Sequence, residues 1–253
     1  MIISVAQAQL FFLAFARIMA IIIHVPVLGG QNIPNQVRIG LGFVLAIVLV
    51  PWQPLPTDAE TIGAVGYAVA LGKEVLIGTL VGYSADLAFG AIQMAGAAMS
   101  LGSGFESSRV FNPSMADTGS AYDQIFVMTA ATVFLIIDGH HLVIIAIQRT
   151  FQLIPINGDL PLRGLESIMT ATTVFISAGI HLALPVMTAL LLADFTLGLL
   201  ARVAPQVQVY FLGLPVKVVI SLLALSLMFV GLVPYLSSLF KGMAENMLLF
   251  LKS

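Results

Sequence analysis

Four apolar stretches, at 2–28, 62–101, 167–200 and 209–240, each exceed the roughly 20 residues that a helix needs to cross a bilayer. That feature fixes the solvent before any motif is read. The composition agrees: 59% of the 253 residues are hydrophobic and 9% are charged, whereas a soluble domain of this size carries about 25% charged residues to wet its surface. Ten Lys and Arg against twelve Asp and Glu give a net charge of −2 with no basic run. Nucleic acid is therefore not a partner, and no polybasic membrane-surface anchor is present. Without cysteine there is no thiolate nucleophile, disulfide or cysteine-ligated metal. The runs are apolar all round and lack the alternation of a membrane β-barrel, so the expected class is all-α.

The first stretch has no basic lead-in and no small-x-small cleavage site, so it reads as retained helix and not as a secretory signal. Arg17 and His24 lie seven apart within it, on one face, and that face is expected to meet protein. Polar breaks fall at 29–38, 51–61, 102–124, 152–166 and 201–208. The apolar runs 39–50 and 125–137 amount to only about 18 Å of helix and cannot span alone. An irregular bundle of long, kinked helices and helical hairpins fits better than a row of regular spans, with Pro185 expected to kink or interrupt its stretch.

Within 62–101 and just beyond it, Glu74, Gly78, Gly82, Asp86, Gly90, Ala98 and Gly102 recur at multiples of four. This places small and acidic residues on one slowly winding face, a seam suited to close approach by another backbone and expected to serve as an interface. Lys73, Asp138, His181, Asp194 and Lys217 also sit at depths where facing lipid would cost about 2.5–3.5 kcal/mol each, so they are expected to face protein or water. Structural pairing is the preferred reading of these residues. A proton or ion relay through Asp86, Asp138 and Asp194 is the alternative, and it would make the chain a small-solute or ion transporter.

Two runs resemble chemistry without completing it. Asp138-Gly139-His140-His141 offers metal-ligand types, but adjacent histidines on a helix point about 100° apart and share one ion only if Gly139 breaks the helix. No H-E-x-x-H accompanies them, so a polar turn or cap is expected there and no metal centre. Gly102-Ser103-Gly104 has no fixed partner base and reads as a loop entrance rather than a hydrolase nucleophile. No phosphate-binding glycine loop is present. The polar segment after it, from Phe105 to Ser120, is long for a compact protein and must lie in water or a water-filled lumen.

At this segment and beyond, the sequence resembles the FliR family of type III export-gate proteins over nearly its whole length. The resemblance rests on Gly104-Phe105 leading into Pro113, Phe134-Leu135 before Gly139-His140, and Phe151 with Pro155. It is strongest in Leu182-Ala183-Leu184-Pro185-Val186, Asp194, Leu197-Gly198-Leu199-Leu200 and Arg202-Val203-Ala204-Pro205-Gln206, followed by Gly213, Pro215 and Lys217. Gln208 and Tyr210 stand where the family pattern has Asn and Phe.

The resemblance implies a cofactor-free, non-enzymatic subunit of a gate in the bacterial inner membrane, at the flagellar basal body. Its implied partners are FliP-like and FliQ-like subunits, an FlhB-like switch protein and unfolded export substrates. It also implies a FliP-like part, roughly 1–200, joined to a FliQ-like hairpin, roughly 201–253. The family's plug-like loop would correspond to about 106–122, with Phe105, Glu106, Arg109, Phe111, Asn112, Pro113 and Met115 closing the pore. Glu74, Gly78, Gly82, Asp86, Gly90, Asp194, Arg202, Pro205, Gln206 and Lys217 are the expected subunit-interface residues.

Overall fold

A computed structural model describes residues 4–30, 33–49, 61–105, 121–159, 164–206 and 208–249. The helices are α1 (Val5–His24), α2 (Pro26–Gly29), α3 (Asn35–Leu49), α4 (Ala64–Ser103), α5 (Ala121–Ile136), α6 (Gly139–Leu153), α7 (Gly164–Val203) and α8 (Val209–Leu249). No strand occurs among the described residues, so the protein is an all-α membrane protein. α1, α4, α7 and α8 are each long and apolar enough to cross a bilayer.

Local chemistry sets several boundaries. Ser4 opens α1 with a capping box: its hydroxyl accepts from the Gln7 amide at 3.2 Å, and the Gln7 side chain accepts from the Ser4 amide at 3.1 Å. α7 ends at Val203, one residue ahead of the turn holding Pro205. Pro185, however, does not interrupt α7, which runs on to Val203. A proline removes one backbone hydrogen bond, a loss that membrane helices tolerate where local adjustment and neighbours re-satisfy the freed carbonyl. α5 and α6 are separated by Ile137 and Asp138, and Asp138 adopts the left-handed conformation at φ 56°.

The described chain forms two compact units. The first contains α1 to α3, α4 through Ala88, α6, α7 through Thr173 and α8 from Phe240; the second contains the remainder of α4, α7 and α8 together with α5. In the first unit Leu13, Ala14, Ile18, Ile21, Ile77, Val81 and Ile147 are fully buried. α3 packs on α1 through Phe43, edge-on to Phe11 and Phe15, while Gly42 lies against Met19. In the second unit Gly179 of α7 lies against the Ala91 backbone of α4, Gly96 of α4 lies against Asp123 of α5, and the Tyr235 hydroxyl of α8 donates to the Ala178 carbonyl at 2.9 Å.

Candidate functional site

The centre of the first unit is a buried arginine. Arg17 of α1 is fully inaccessible, and an isolated charge there would be prohibitive. A guanidinium has five N–H donors, and the fold supplies an acceptor for each. Nε donates to Glu74 Oε2 at 2.5 Å and Nη2 to Glu74 Oε1 at 3.1 Å, a two-pronged pair with α4. Nη1 reaches the carbonyls of Thr150 at 3.3 Å and Ile154 at 2.7 Å, and Nη2 reaches Pro155 at 3.2 Å. These carbonyls belong to the C-terminal end of α6 and the turn after it, where the helix dipole favours a cation. Phe151 offers its ring face to the guanidinium at 4.5 Å. Glu74 Oε1 also accepts from the Asn157 amide at 2.8 Å. One ion pair thus ties α1, α4 and the end of α6 together.

The seam continues from this clamp. A methyl at Gly78 would lie 2.6 Å from both the Ala20 Cβ and the Arg17 carbonyl oxygen, and one at Gly82 would lie 2.7 Å from the His24 Cβ. Asp86 pairs with His24, both partly exposed. From Glu74 to Asp86 the seam therefore packs against Arg17 to His24 of the same chain, with α1 and α4 running in one direction. Gly90, the next position, is exposed and has open space around it. Sequence reasoning put two cations on one face of α1 and two carboxylates on one face of α4 but did not join them; this matched pairing was the available signal.

In the second unit Lys217 of α8 pairs with Asp194 of α7, and Gly213 lets α8 approach Leu197. An open cavity of about 200 Å³ lies beside the pair, lined by Tyr210 and Leu214 among others. Arg202, Pro205 and Gln206 are exposed at the turn between α7 and α8. Ser103 is buried with its hydroxyl donating to the Ser100 carbonyl at 3.0 Å, a helix-end role. Phe105 stacks edge-on against Tyr122, with ring centres 5.3 Å apart. Glu106, Arg109, Phe111, Asn112, Pro113 and Met115 lie outside the described residues.

The carboxylates of the relay alternative are each taken up locally, Asp86 by His24, Asp194 by Lys217 and Asp138 beside His140 and His141. The last group places three metal-ligand types within 4.8 Å of one another.

Apolar surface is the remaining feature. Exposed apolar residues run along α7 from Met169 to Val203, about 51 Å of helix at 1.5 Å per residue, whereas on α4 they form two patches, Val65 to Leu76 and Met94 to Leu101. Of the most apolar 18-residue window, 56% is buried in α4 but only 17% in α8.

Fold and site together define a polytopic helical membrane protein that holds one ion pair fully buried between its helices and leaves much of its long apolar surface uncovered. The chain belongs to the family of bacterial export proteins, family 1, which matches residues 8–243. It is 33% identical over 233 residues to the flagellar biosynthetic protein FliR of Pectobacterium carotovorum subsp. carotovorum, covering 91% of this chain and 88% of that protein. It is 31% identical over 221 residues to FliR of Bacillus subtilis, covering 85% and 84% of the two chains. The surface presentation of antigens protein SpaR of Shigella flexneri is 27% identical over 216 residues, covering 85% and 82%. The family is one of export proteins.

Proposed function

We propose that this protein is a non-enzymatic core subunit of a flagellar type III protein export gate in the bacterial inner membrane, forming and sealing the pore through which unfolded proteins leave. The observation that carries this reading is the length of exposed apolar helix. A bilayer core covers about 30 Å, and a helix tilted by 40°, the top of the usual range, would still lay about 39 Å of the 51 Å apolar surface of α7 across it. The surplus needs other protein chains. FliP-like and FliQ-like subunits and an FlhB-like protein are the proposed neighbours, with residues 1–200 acting as the FliP-like part and 201–253 as the FliQ-like hairpin.

Flagellar membership is favoured over virulence export because the FliR relatives reach 33% identity and the SpaR relative 27%. Asp86, Gly90, Asp194, Arg202, Pro205, Gln206 and Lys217 are the proposed subunit-facing positions, since Glu74, Gly78 and Gly82 are buried against α1. The segment 105–122 is the proposed seal, its apolar side chains excluding water and its polar ones gripping neighbours. A photoreactive residue at Val230, 85% exposed on α8, tests the assembly reading. Adducts to other membrane proteins are expected; labelling of lipid alone would count against it.

A further inference from the structure

At the start of α6, beside the break from α5, one carboxylate and two imidazoles lie together. Asp138 takes the left-handed conformation there and precedes α6 in the cap position, yet its carboxylate makes no cap hydrogen bond. It sits instead between two imidazoles, with Oδ1 4.0 Å from His140 Nε2 and 3.7 Å from His141 Nδ1. Both separations are too long for a hydrogen bond. All three donor atoms nevertheless lie within 4.8 Å of one another, and the two rings are 4.3 Å apart and tilted by 38°. The second nitrogen of His140, Nδ1, is buried and has no hydrogen-bond partner. Nε2 is therefore the atom this ring presents outward. His141 and Asp138 are exposed.

We infer that Asp138, His140 and His141 form a binding site for a divalent transition-metal ion of the zinc, nickel or copper class. Tetrahedral zinc holds nitrogen and oxygen ligands at about 2.0–2.1 Å, which sets neighbouring ligands about 3.4 Å apart. Reaching that geometry closes the two Asp138 gaps by about 0.3 and 0.6 Å and the imidazole pair by at most about 1.4 Å, through side-chain rotation of the exposed Asp138 and His141. Two imidazoles and one carboxylate suit these ions and not calcium or magnesium, whose ligands are oxygen. Three ligands leave a position open to water or to a ligand from another chain. His140 and His141 are adjacent within α6, yet their rings lie 4.3 Å apart, so the divergence of neighbouring helical positions does not keep their nitrogens from one ion. The site lies within four consecutive residues and does not depend on the export-gate reading.

The test is zinc titration of the full-length protein in detergent, purified without a histidine tag, against a chromophoric chelator, followed by zinc X-ray absorption. About one equivalent with two imidazole ligands is expected, weakened tenfold or more by His141→Ala and by His140→Ala. Asp138→Gly keeps a residue suited to the left-handed conformation while removing the carboxylate, so it is expected to weaken zinc binding with the melting temperature unchanged or raised. His181→Ala is the control and should bind as the parent does. Failure of the parent to compete with the chelator, or equal binding by the parent and His141→Ala, would overturn the inference.

Discussion

Arg17 and Glu74, 57 residues apart in sequence, form a fully buried two-pronged ion pair that also caps the end of a third helix. Such a pair makes its largest difference when half of it is removed. Arg17→Ala leaves a carboxylate without compensation in the interior, and Glu74→Ala strands a guanidinium; each is expected to cost about 3–5 kcal/mol. Arg17→Lys is expected to fall in the same direction, because an ammonium lacks the planar fork that serves Glu74 and the three α6-end carbonyls together. Thermal melting of the purified protein and its level in membranes check this. Melting of Arg17→Lys at the parent temperature would show that the fork geometry is dispensable.

The seam gives a sharper contrast. Gly78→Ala pushes a methyl into the Arg17 carbonyl and Ala20, so α1 must shift, with an expected cost of about 1–3 kcal/mol. Gly90→Ala meets nothing within 4 Å and is expected to leave the chain's own stability within about 0.5 kcal/mol. Parallel melting curves separate the two; equal losses would mean that α1 and α4 are not packed as described.

How far the sequence carried this structure depends on the range of the interaction. The period-four small and acidic face of α4 was legible because it is local, as were the four long apolar helices and the α7 end before Pro205. The partner of that face was not, because Glu74 could satisfy its charge within the chain or across a subunit boundary, and periodicity carries no information about distance. Of the kink or interruption expected at Pro185, the interruption does not occur, because a long membrane helix tolerates one lost backbone hydrogen bond. The polar turn expected at Asp138 is there, but its left-handed conformation and the close approach of His140 and His141 within α6 have no signal in residue spacing beyond the adjacent Gly139.

Asp194 and Lys217 separate folding from assembly. Both are partly exposed in the chain, so an isolated Asp194→Asn or Lys217→Gln is expected to lower its melting temperature less than Arg17→Ala does. If these positions face a partner subunit, the same changes reduce co-purification of other membrane proteins by more than that loss of stability accounts for. Melting temperature and co-purified mass, measured on one preparation, decide it. Unchanged co-purification would remove the pair from the proposed interface.

The proposed seal has a physiological readout. Deleting residues within 106–120 is expected to raise the ion permeability of membranes holding the assembled complex while leaving the amount of complex unchanged. A fluorescent ion-flux assay in cells checks this, and tight membranes with the deletion present would assign the closure to another segment.

The most direct measurement is mass spectrometry of the intact complex, released from membranes in mild detergent through a tag on this chain. Several FliP-like and FliQ-like chains around a single copy of this protein are predicted, since its uncovered apolar helices need protein neighbours. A lone monomer or a homodimer would contradict the account.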